Sequence, residues 1–88
     1  MAVQVTIDAG SKADAEVIAE ALPVRAQAGS WRGYGVVRLR LADEKAARGL
    51  IPAVRECVER HELAWARVRI GDDETMFRRN GRKPAFGH

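Results

Sequence analysis

Arginine and tryptophan recur at alternate positions in two short stretches, Val37-Arg38-Leu39-Arg40-Leu41 and Ala64-Trp65-Ala66-Arg67-Val68-Arg69-Ile70. A guanidinium is a planar, permanently charged fork that grips carboxylate or phosphate oxygens in pairs. An indole offers a flat surface on which an aromatic or a cation can stack. Successive side chains of a strand point to opposite faces. As strands, both stretches therefore turn aliphatic residues to a core and Arg38, Arg40, Trp65, Arg67 and Arg69 away from it. That chemistry binds; it does not transform. The surface it predicts fits an acidic protein, a second copy of the chain or a nucleic acid.

A second group lies in Gly29-Ser30-Trp31-Arg32-Gly33-Tyr34-Gly35, a glycine-punctuated loop or hairpin connection carrying Trp31, Arg32 and Tyr34. These are residue types enriched at binding hot spots; a tryptophan folded back over a small core is the competing reading of Trp31. A third group is the basic tail, with Arg78, Arg79, Arg82 and Lys83 beside Phe77 and Phe86. Such an arm either orders on an acidic partner or docks through its phenylalanines.

Catalytic patterns are missing from this reading. Cys57 falls on an apolar helical stripe, as a small core residue does. His61 and His88 are far apart in sequence and define neither a metal pair nor a triad. Asp72-Asp73-Glu74 lacks the spaced oxygens of a calcium loop and reads as a solvated turn. Gly10-Ser11-Lys12 lacks the upstream glycine of a phosphate loop, and a helix N-cap accounts for it. No enzyme activity, metal, cofactor or small-molecule substrate is therefore expected.

The elements that must position these residues follow from the local pattern. Val3 to Ile7 alternates as a strand, and Asp8-Ala9-Gly10 is expected to break it. Ser11 caps a helix bearing Val17, Ile18, Ala21 and Leu22 on one stripe, which Pro23 ends. Val24 to Ala28 is a weak strand candidate, and Val36 to Leu41 a strong one. Asp43 starts a second helix whose stripe runs through Ala46, Ala47, Leu50, Ile51, Val54, Cys57 and Val58. Pro52 within it predicts a kink or a break near Gly49. Ala64 to Ile70 is the last strong strand.

The order strand, helix, strand, strand, helix, strand suits a split βαβ, ferredoxin-like α+β domain. This expectation places four antiparallel strands under two helices on one face and leaves the other face open. The resemblance is architectural, and such architectures host unrelated functions. RNA-recognition domains also bind through an open sheet, but Arg38-Leu39-Arg40-Leu41 stands where their aromatics would be needed. Residues 1–70 form the expected domain. Residues 71–88 form the basic tail, in which Asn80-Gly81 could turn a hairpin.

Bulk composition agrees with this reading. The chain has 88 residues, 47% hydrophobic and 31% charged, with net charge +3. That is the size of a single-core domain and the balance of a globular one. Of the 15 basic residues, 12 are arginine, a bias that binding and a GC-rich coding sequence explain equally well. One cysteine permits no internal disulfide. No long apolar run or cationic leader is read, so the expectation is a cytoplasmic protein without a membrane partner. It binds a protein or itself through the basic, aromatic sheet face, with nucleic acid as the alternative.

Overall fold

The computed structural model describes residues 2–79. The elements are β1 (Val3–Ala9), α1 (Lys12–Ala21), β2 (Gln27–Trp31), β3 (Tyr34–Leu41), α2 (Glu44–Arg48), α3 (Ile51–His61), β4 (Trp65–Ile70) and β5 (Asp73–Arg78). The strands make one antiparallel sheet in the order β2-β3-β1-β4-β5, in an α+β architecture. The sheet has five strands rather than the expected four. The extra one comes from the stretch expected to begin the tail. Gly71 takes a φ of 60°, so Gly71-Asp72 reverses the chain between paired Ile70 and Asp73. A positive φ at the first central residue is what a type II′ hairpin turn requires. Phe77 then falls on the helix-bearing side and packs against the core.

One cluster of apolar side chains joins the sheet to the helices. Val5, Ile7, Ala9, Val37, Ala66, Val68 and Ile70 meet Ala15, Ile18, Ala47, Leu50, Val54, Cys57 and Val58, all buried. Each large aliphatic group so buried contributes about 1.5–3 kcal/mol. Two helical starts agree with the capping pattern. The Ser11 hydroxyl accepts a hydrogen bond from the Asp14 amide at 3.1 Å, and the Asp43 carboxylate accepts one from the Ala46 amide at 2.8 Å.

The second helix breaks where glycine and proline predict. The Gly49 amide still bonds to the Lys45 carbonyl, but the Leu50 amide bonds to Ala47, a tightened turn between α2 and α3. Pro52 then sits in the first turn of α3, where its missing amide hydrogen costs nothing. The break turns Ala46, expected on the apolar stripe, out to solvent.

Two strand boundaries differ from expectation. The weak strand lies at Gln27–Trp31 rather than Val24 to Ala28. The tight turn is Arg32-Gly33, with φ of 51° and 90°, the positive pair of a type I′ hairpin. It draws Trp31 and Tyr34 into the strands as a cross-strand pair. β1 also continues through Asp8 to Ala9, because Asp8 pairs with Val36 on one side and Arg67 on the other. Asp8 was expected to break the strand. Among the described residues no helix is long and apolar enough to cross a membrane.

Candidate functional site

The strand pairings decide which side chains share the face opposite the helices. Residues directly across a ladder point the same way. Asp8 is level with Val36 and Arg67, Thr6 with Arg38 and Arg69, and Gln4 with Arg40. Trp65 is level with Arg78, Arg67 with Met76, and Arg69 with Glu74. At the other side Trp31 pairs with Tyr34. One surface thus holds Trp31, Tyr34, Arg38, Arg40, Trp65, Arg67 and Arg69, singled out from sequence, together with Arg78 from the expected tail, and adds Met76, Glu74 and Asp8. Arg32 lies at its margin in the hairpin turn.

The face is not uniform. Its aromatic end gathers Tyr34 and Trp65, whose ring centroids lie 6.3 Å apart at 49°. Trp31 is 51% exposed, with the Arg32 guanidinium 5.4 Å from its ring centre. It does not fold back over the core. A shallow groove of about 330 Å³, lined by Ala64, Trp65, Arg67, Met76 and Arg78, runs beside the Trp65 ring. Met76 is 44% exposed at its margin. The opposite end carries Arg38 and Arg40, both exposed, beside Gln4 and Thr6.

Between the two ends lies a residue that the sequence reading missed. Asp8 is completely buried although it belongs to the open face. Arg67 donates to its carboxylate through Nε at 3.0 Å and approaches through Nη2 at 2.9 Å. Arg69, two residues further along the same strand, brings Nη2 to 3.1 Å from Oδ2 and 3.3 Å from Oδ1. The hydrogen bond that Arg67 donates to Asp8 raises its guanidinium above its ordinary value. Glu74 stands 4.0 Å from the other side of Arg67. A signal for Asp8 did exist: an acid at an outward position of a central strand flanked by arginine-bearing strands needs no bend to be useful.

The arginines therefore divide into two classes. Arg67 and Arg69 are committed to Asp8. Arg38, Arg40 and Arg78 have no ion-pair partner among the described residues and reach solvent. The other tail residues behave differently. Arg79 lies past the end of β5 and donates to the Glu62 carbonyl at 3.2 Å. Arg82, Lys83, Phe86 and the Asn80-Gly81 turn lie outside the described residues. The acidic trio is spread apart as well, with Asp73 paired to Arg48 on the helix side and Glu74 on the open face. Cys57 is buried in the core, and burial pushes its thiol up. No family model, curated protein or solved structure matches the chain.

Proposed function

We propose that this chain is a non-catalytic binding module whose open sheet face receives an acidic protein segment with an apolar anchor. The observation that carries this reading is the division of the face. Trp65, Met76 and the groove between them suit an aliphatic or aromatic side chain, while exposed Arg38, Arg40 and Arg78 suit carboxylates around it. Aromatic and arginine groups at the centre of a patch supply most of the affinity in protein interfaces. The strands of this face carry five arginines against two acids, Asp8 and Glu74. That surplus opposes a second copy docking face to face and favours a partner of opposite charge. The underlying architecture reads as a ferredoxin-like split βαβ core with one added edge strand. A reducing, cytoplasmic setting accords with the single buried cysteine.

A second reading has its own support. Arg38, Arg40 and Arg78 beside exposed rings also suit a single-stranded nucleic acid, with phosphates on the guanidinium groups and bases on the indoles. Fluorescence polarisation separates the two. One labelled probe is an acidic peptide with a central phenylalanine; the other is a single-stranded oligonucleotide of equal charge. The protein reading expects the peptide to bind at physiological salt and to weaken at least tenfold in Trp65→Ala. Retention of the oligonucleotide alone, with a steep salt dependence, overturns it in favour of nucleic acid. Binding of neither probe removes the acidic-partner reading.

A further inference from the structure

We propose that two copies of this chain associate through the free edge of β2, joining their sheets into one continuous antiparallel sheet. The two edges of the sheet are unlike. β5 carries Asp73, Glu74 and Arg78, charges of the kind that keep an edge from pairing with another chain. β2, Gln27-Ala28-Gly29-Ser30-Trp31, carries none.

The hairpin geometry fixes which backbone groups that edge offers. In a two-residue hairpin the flanking pair, here Trp31 and Tyr34, exchanges hydrogen bonds. Bonding alternates along the ladder, so Gly29 and Gln27 bond inward to Val36 and Arg38. The amide and carbonyl groups of Ala28 and Ser30 therefore point outward. They are the donors and acceptors an edge must satisfy.

An antiparallel mate centred on Gly29 satisfies both. Ala28 of each copy lies opposite Ser30 of the other, and Gln27 lies opposite Trp31. In that register Arg25 faces Gly33 and Arg32 faces Ala26, so no like charges stand directly across. Gly29 meets itself on the twofold axis. A Cβ built there meets nothing within 4 Å in the free chain. The second copy is the occupant this edge fits, since its own sequence supplies a mate without charge at every paired position. The edge strand shares Trp31 with the face, but the pairing uses the backbone groups of Ala28 and Ser30, and the inference does not rest on the acidic-partner reading.

Engineered cross-linking tests it. Opposed residues of a non-hydrogen-bonded antiparallel pair have Cα atoms about 4.5 Å apart, within the range a disulfide spans. Gly29→Cys is expected to yield a covalent dimer on mild oxidation, whereas Met76→Cys, on the open face, is not. The native Cys57 is buried and does not compete. In sedimentation equilibrium from about 10 μM to about 1 mM, the range suited to a small interface, wild type is expected to form a dimer. Ser30→Pro removes an outward donor and no β2–β3 bond, and Gly29→Asp sets two carboxylates against each other. Both are expected to be monomeric with unchanged circular dichroism. A wild type that stays monomeric throughout overturns the proposal. So does a dimer that Gly29→Cys fails to trap, or one trapped instead by Met76→Cys.

Discussion

The buried carboxylate of Asp8 makes a quantitative prediction about stability. Arg67→Met keeps much of the side-chain volume but removes the nearer of the two cations holding that charge. With charge centres about 4 Å apart and an effective dielectric of about 20, the lost attraction is about 4 kcal/mol. Breaking a buried pair by removing one partner costs about 3–5 kcal/mol. Here Arg69 remains in contact and Arg67 is 29% exposed, which places the expected loss near the lower end, about 3 kcal/mol. Asp8→Asn keeps the shape and releases two arginines that can rehydrate, at a cost of about 1.5 kcal/mol. In the double variant no buried charge is left unpaired, and the total should be about 2 kcal/mol rather than about 4.5. The assay is urea unfolding at pH 7, with the slope on denaturant concentration required to match across the four proteins. Raising the salt to 1 M should leave the coupling largely intact, since a buried pair is weakly screened. A double variant whose loss equals the sum of the singles within about 0.5 kcal/mol refutes the claim that Arg67 holds a buried charge.

The same substitution has a functional counterpart: Asp8→Asn raises the positive charge of the open face, so the acidic peptide probe should bind more tightly and with a steeper salt dependence; weaker binding in a folded variant would contradict this. Gly35→Ala should be among the most damaging small changes, because its Cβ would lie 2.1 Å from the Ser11 carbonyl oxygen and 2.6 Å from the Ala15 Cβ. The expected loss is at least about 2 kcal/mol in urea unfolding, against under about 0.5 for Gly29→Ala. Burial raises the Cys57 thiol above its ordinary 9.0, so the unfolded chain releases this proton at the lower pH. The associated stability is complete below that value and falls as pH climbs through the folded one. Relative to Cys57→Ala, wild-type stability should therefore decline more steeply between about pH 8 and about pH 10.

Much of the fold was legible because it rests on local rules. Ser11 and Asp43 announced their helices, Pro52 and Gly49 announced the break, and the aliphatic alternates of β1, β3 and β4 announced the core. The errors arose where a turn competes with composition. Residues 29–35 are rich in glycine and read as a loop or hairpin connection; the hairpin is there, but the left-handed Arg32-Gly33 pair closes it in only two residues and leaves the rest to the strands. Gly71-Asp72 closes another, hidden because Asp72, Asp73 and Glu74 read as a solvated turn. The candidate face was legible by alternation alone, but its internal pairing was not. An aspartate in a strand looks like a breaker until cross-strand neighbours are known, and register is a tertiary fact. Met76 escaped notice for the same reason, since its strand was not expected.

The position of β1 at the centre of the sheet also orders events in time. Its two neighbours are β3 and β4, and Asp8 meets Arg67 and Arg69 across 59 and 61 residues of chain. During synthesis β1 leaves the ribosome before the other four strands of this sheet, yet it is one of the last to be completed. Until the ninth or tenth residue after α3 has emerged, β1 is an open edge and its carboxylate is uncompensated. Loop closure of that span precedes any reward from the pairing, which sets this mixed α/β domain behind helical bundles of its size in folding rate. A nascent chain stalled before β4 is accordingly the form most exposed to proteases and to mispairing with its neighbours.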